Sequence, residues 1–219
     1  HTQSKGKKRI NASNIYGAIC LRAIKEIMKL TKTDLWNLEE YSNLRQEFRK
    51  KVMAHKKNRQ LFLGDHATLY FEDSITMKYQ IQEMLRIEKI FESEAIEEEL
   101  NAYNPLIPDG DNWKATFMIE FSDPEERAIR LEELVGIEDT IWLATNDHKK
   151  IYAISNEDLD RSREQKTAAV HFMRFQLDET TLQELKSGQA LIAGIDHPKM
   201  PFQTIVSGQV TSSLLDDLN

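Results

Sequence analysis

The residue whose surroundings ask most for chemistry is Glu88. At 100° per residue, Met77, Ile81, Met84 and Phe91 form one apolar stripe; Glu88 falls within it and Gln80 at its edge. A carboxylate turned toward a core must find a hydrogen-bond or charge partner, hold a metal, or stay protonated. The opposite face carries Tyr79, Glu83 and Arg86, the last two spaced to pair across one helical turn. Further on, His171 alternates with Ala169, Met173, Phe175 and Leu177, while Arg174 alternates with Val170 and Phe172. A two-residue period puts this histidine and this arginine on opposite faces of a strand, so without a bulge they cannot share one ligand. His171 reads either as a hydrogen-bonded core residue or as a ligand. Arg174 among apolar neighbours asks for an anion, and Glu88 is the expected partner. The candidate ligand-binding set is therefore Gln80, Glu88, His171 and Arg174, joined by Tyr79, Glu83 and Arg86 if the helix has two functional faces.

These side chains need elements to hold them. The periodicity predicts a helix over 76–91, and another over 40–57 with Tyr41, Leu44, Phe48, Val52 and His55 on one stripe. Thr33 or Asp34 is expected to cap a short helix containing Leu35 and Leu38, and Ser93 a helix ending near Tyr103. Strands are expected at 61–63, 68–71, 113–121, 167–177, 189–195 and 203–206, with 140–145 and 150–154 forming a hairpin around Asn146-Asp147-His148. Asp123-Pro124 opens a helix that Gly136 stops; Asp178 or Thr180 caps another, and a last helix starts near Gln209. The strand at 167–177, apolar on both faces, reads as central. Helices followed by a strand-rich run give the α+β class: N-terminal helices, then a mixed, mainly antiparallel sheet with packed helices. Residues 28–219 form one domain, helical over 28–108 and sheet-rich over 109–219.

Composition removes whole classes of function. Cys20 is the only cysteine, so no cysteine-ligated cluster, zinc site or disulfide framework can be built within the chain. No apolar run reaches the ~20 residues of a membrane span, and no secretory signal opens the chain; the cytoplasm is the expected compartment. Residues 1–27 hold six Lys or Arg against Glu26, leaving 23 basic and 35 acidic residues in the remainder, a formal charge of −12. That break before Met28 marks residues 1–27 as a non-native or upstream-translated leader, or else a basic arm, and the acidic body disfavours nucleic acid as a partner. Asp196-His197-Pro198 follows a strand end, where binding residues gather, but reads as a turn. Asp109, Asp111 and Glu120 imitate a calcium loop, yet Lys114 stands where that loop needs glycine. Nucleotide-binding glycine loops, nucleophile elbows and zinc-protease motifs are absent from the sequence.

Several stretches resemble one family in order: Leu44-Arg45-Gln46-Glu47-Phe48-Arg49, Tyr79-Gln80-Ile81-Gln82-Glu83-Met84-Leu85-Arg86, Tyr103-Asn104-Pro105-Leu106-Ile107-Pro108, Ala169-Val170-His171-Phe172-Met173-Arg174-Phe175 and Gly194-Ile195-Asp196-His197-Pro198. The chain from about residue 28 resembles the bacterial family called domain of unknown function 3501. The resemblance carries no established chemistry, but its members' gene neighbours imply an accessory role for an iron–sulfur oxidoreductase or a rubrerythrin-like redox protein. The alternative is a small enzyme or a metal- or anion-binding domain that uses a buried carboxylate with His or Arg.

Overall fold

The computed structural model describes residues 29–145, 149–155, 157 and 166–218. The expectations for residues 1–27 and for the Asn146-Asp147-His148 turn fall outside the described residues.

The short helix expected after Thr33 or Asp34 does not form. Thr31 and Asp34 close one 3-10 turn (Lys32–Asp34), Leu35 is extended, and Asn37 caps α1 (Leu38–Lys57). The Asn37 side chain accepts from the Glu40 amide at 2.9 Å, and the Asn37 amide donates back to the Glu40 carboxylate at 3.2 Å, a reciprocal cap. After β1 (Gln60–Phe62) and β2 (Ala67–Glu72), Asp73 caps α2 (Ser74–Glu88) by accepting from the amides of Ile75 and Thr76. This helix ends three residues short of the expected Phe91. Lys89 takes a left-handed conformation at φ 55, and the amides of Lys89 and Ile90 both return to the Leu85 carbonyl. α3 (Ser93–Tyr103) follows, with Glu92 rather than Ser93 at its N-cap position and no side-chain capping bond there.

The rest is β3 (Asn112–Ile119), α4 (Pro124–Glu133), β4 (Ile141–Thr145), β5 (Ile151–Tyr152), β6 (Ile154–Ser155), β7 (Val170–Gln176), α5 (Glu179–Lys186), β8 (Leu191–Ile195), β9 (Phe202–Ile205) and α6 (Gly208–Leu215). The class is α+β, but the strands make two sheets, ordered β1-β2-β3-β7-β6 and β5-β4-β8-β9, and every registered pairing is antiparallel. The expected strand over 150–154 is split at Ala153: β5 pairs with β4 in one sheet and β6 with β7 in the other. Ala153 is buried at that crossing, where its amide donates to the Ile141 carbonyl.

The main core runs between the sheets, with Leu69, Phe71, Trp113, Phe117 and Phe175 on one side and Ile141, Leu143, Ala193 and Ile195 on the other. Leu131 of α4, Leu182 of α5 and Leu214 of α6 close it. A second, much smaller cluster unites the helices around Ile81, Leu85 and Leu100, with Leu35, Leu38 and Ile90 packed against it. Gly194 of β8 is required by contact: a Cβ there would meet the Trp142 ring at 2.4 Å and the Phe202 carbonyl at 2.6 Å. The indole crossing that gap donates to Asp196 at 2.9 Å.

Candidate functional site

The chemistry-bearing cluster of the fold forms where the end of α1, the start of α2 and the end of α6 converge. Its hub is Arg59, only 2% exposed, in the link between α1 and β1. The guanidinium donates from Nε to the Phe71 carbonyl at 3.1 Å, and from Nη2 to the Glu72 carbonyl at 3.1 Å and the Asp217 carboxylate at 2.5 Å. Its Nη1 donates to the Ser213 carbonyl at 3.0 Å, which satisfies a carbonyl of α6 near the end of that helix. Asp73 lies on the other side of the same guanidinium, its Oδ2 3.3 Å from Nε. A buried planar fork can hold two carboxylates and several carbonyls at once; an ammonium could not.

Asp73 divides its two oxygens between jobs. Oδ1 takes the α2 amides at 3.0 and 2.9 Å, and Oδ2 meets His55 Nε2 at 2.5 Å. Burial works against ionisation of this carboxyl, yet the His55 hydrogen bond, the Arg59 charge and the Thr76 amide outweigh it and hold Asp73 below its ordinary value. An ionised carboxylate only accepts, so His55 Nε2 carries the proton and, in the neutral ring, Nδ1 is the acceptor. Asp217 goes the other way. Burial pushes it up to about 6 against the pull of Arg59, and the charges of Asp73 and Asp216 add to the rise. One cation thus joins two acids whose environments drive them apart. Beside them opens a cavity of about 480 Å³ lined by His55, Arg59, Asp73, Ser74, Asp216 and Asp217, among others.

Glu72, the next residue back, is also a buried carboxylate; its oxygens accept from Thr76 Oγ1 at 2.6 Å and Thr116 Oγ1 at 2.8 Å. None of Arg59, Glu72, Asp73 or Asp217 was marked by spacing alone, and His55 entered only as a member of a helical stripe. The available signals were an Asp three residues before Thr76 at a helix start, an Arg between a helix and an apolar strand, and acids ending an apolar helix.

The residues singled out from the sequence are scattered. Glu88 is exposed, which corrects the expectation that it faces the core: it is the last residue of α2, and the helix stops before its stripe can continue. The polar group that does turn inward is Gln82, 0% exposed, whose amide accepts from Trp36 N at 2.7 Å and donates to Trp36 O at 3.2 Å. Gln80 is half-buried, and Tyr79 tilts against Phe48 at 6.1 Å with Lys56 over its ring. Glu83 receives Tyr41 Oη at 2.6 Å, Arg45 in a two-point contact at 2.7 and 2.9 Å, and Arg86 at 3.1 Å. The Arg45 bonds, against the cost of burial and with help from Tyr41 and Arg86, hold Glu83 at about 2. It is a closed interhelical clamp.

His171 is fully buried, its Nε2 2.9 Å from the Ala168 carbonyl and 3.0 Å from Thr167 Oγ1, with Thr167 donating on to Glu138 at 3.1 Å. Arg174 does lie on the opposite face of β7, but its partner is Glu157, not Glu88. Asp196 accepts from Trp142, Lys150 and Tyr152, and His197 is buried in the following turn. Among the described residues, no group of three or more His, Cys, Asp or Glu is placed to hold a metal ion. No helix there is long and apolar enough to cross a membrane.

Fold and site together define an α+β protein of two antiparallel sheets with an arginine-bridged acid pair at its helical junction. The family model described as "Protein of unknown function (DUF3501)" matches residues 29–218, and the chain belongs to that family. Among solved structures it is similar to one described as a novel protein of unknown function from Burkholderia pseudomallei K96243, at 46% identity and a TM-score of 0.83. The match covers 88% of this chain and 100% of that one. No curated protein matches.

Proposed function

We propose that the protein binds a small polar molecule in the 480 Å³ cavity at the junction of α1, α2 and α6, and exchanges a proton with it through His55 and Asp217. One arrangement carries this reading: a buried guanidinium joins two carboxylates of opposite titration, one of them bearing a histidine, beside a space of ligand size. Acids driven apart by their surroundings are how a single site supplies both a proton acceptor and a proton donor near neutral pH. Asp73 stays ionised and orients the His55 ring. Arg59 keeps both carboxylates in place, and Asp217 holds or releases its proton near pH 6. Native mass spectrometry of the protein taken from its own cells tests this. The expected result is a small molecule retained by the wild type and lost from His55→Gln and Asp217→Asn. An empty wild type, or equal retention by both variants, contradicts it.

A second reading follows the family resemblance: a cytoplasmic accessory protein for an iron–sulfur or rubrerythrin-like redox partner. An apolar lip at the end of α2 favours it, since Ile87 and Phe91 are 59% and 70% exposed. Phe91 edges a groove of about 300 Å³ lined by Leu35, Leu38, Leu85 and Ile90. With Cys20 the only cysteine, a cluster bound through several cysteines would belong to the partner. Co-purification from the host should recover a redox protein with the wild type and less of it with Phe91→Ser. Repeated recovery of none counts against the role.

A further inference from the structure

A cavity of about 670 Å³ lies against the outer face of β3 and β7, away from the His55 cluster. On that face Lys114 and Arg174 stand directly opposite each other in register. Like charges paired across strands repel, so each must be neutralised locally. The Lys114 ammonium is consumed by the fold: it donates to the Pro105 carbonyl at 2.7 Å and lies 3.2 Å from Asp109, with its side chain 13% exposed. Arg174 is neutralised differently. Its fork holds the Glu157 carboxylate through two parallel bonds, Nε to Oε2 at 2.9 Å and Nη2 to Oε1 at 2.8 Å, while Nη1 donates to Gln176 at 2.6 Å. The arginine is sheltered, 22% exposed, whereas the glutamate is 52% exposed.

We propose that this groove is a binding site for a small organic monocarboxylate, and that Glu157 occupies the ligand's place on Arg174. The Glu157 carboxylate already shows the two-point geometry that a free carboxylate would adopt. A half-exposed ion pair contributes little net stability, so a dissolved acid can compete for the same fork. Phe172, Leu106 and Pro105 line the groove and offer an apolar surface for the ligand's body. Asp109 and Asp111 line it as well and disfavour multiply charged anions, which selects one carboxylate over phosphate or a dicarboxylate.

Isothermal titration with benzoate, alongside benzamide and inorganic phosphate, tests the site on the full chain. Glu157→Gln, at a half-exposed position, leaves the fold intact and frees the arginine. It should bind benzoate about fivefold more tightly than the wild type, the competition expected of an exposed pair. Benzamide and phosphate should bind neither protein, and Arg174→Gln, checked for folding by circular dichroism, should lose benzoate. Equal benzoate affinity in the wild type and Glu157→Gln, or no binding by Glu157→Gln, would overturn the proposal. So would benzamide binding as tightly as benzoate. None of these results bears on the His55 cavity.

Discussion

Glu83 and Asp73 both reach from α2 or its cap across to α1, yet the two carboxylates sit in opposite kinds of surroundings. Glu83 meets the first half of α1 through Tyr41 and Arg45, with Arg86 adding a third donor from its own helix. Its lone pairs are taken by two guanidinium groups and a phenol, and the carboxyl is held at about 2. Asp73 meets the far end of α1 through His55 and shares Arg59 with Asp217, which is pushed up to about 6. The first network is saturated by groups that keep their protons at every physiological pH. The second contains an acid pushed up to about 6 and, across Arg59 from it, a carboxylate that holds an imidazole, and it opens on a cavity. Burial alone does not mark a functional carboxylate; a changeable partner and room beside it do.

The comparison breaks most severely at Arg59. Arg59→Met strands Asp73 and Asp217 without their shared cation and leaves the Ser213 carbonyl unpaired; urea unfolding at pH 7 should show a loss of about 3–5 kcal/mol. Glu83→Gln should cost about 2–3 kcal/mol at pH 7, because the folded protein keeps this carboxyl well below its ordinary 4.5. That contribution is complete above pH 4.5 and fades as the pH falls toward 2, so the gap between variant and wild type should narrow at about pH 3. Asp217→Asn should behave in the reverse sense. A carboxyl raised from 3.8 to about 6 favours the folded state below pH 3.8 and forfeits that advantage as the pH rises through 6. The wild type should therefore lose stability relative to the variant as the pH rises from 4 to 8, by urea unfolding across that range. Glu88→Gln, at the exposed end of α2, should change stability by less than about 0.5 kcal/mol by the same assay.

The elements were legible because hydrophobic period and capping chemistry act locally. Asp123-Pro124 opening α4, Asp178 opening α5 and the alternation of β3 are all decided within a few residues. The phase of α2 was not. Reading its stripe through Phe91 required the helix to run two residues past Lys89, a position whose left-handed turn no sequence rule compels for lysine. With the true end at Glu88, the inward residues are Met77, Ile81, Gln82 and Leu85, and the glutamate falls into solvent. The split of 150–154 between two sheets was equally hidden, since it depends on where Ala153 lands in the sandwich. The opposition of His171 and Arg174 across β7 was legible because a strand's period admits no other answer. The Arg59 hub was illegible for a simple reason: Asp217 lies 158 positions from its partner and 144 from Asp73, and only tertiary folding brings them together.

Asp73 and Asp217, though bridged by one arginine, titrate on opposite sides of an ordinary carboxyl. Side-chain carboxyl carbon shifts followed by NMR from pH 2 to pH 8 test it directly. The expected result is an inflection near pH 6 at Asp217 and one below pH 3.8 at Asp73. Two inflections together near pH 4 would contradict it and leave the junction as a structural ion pair.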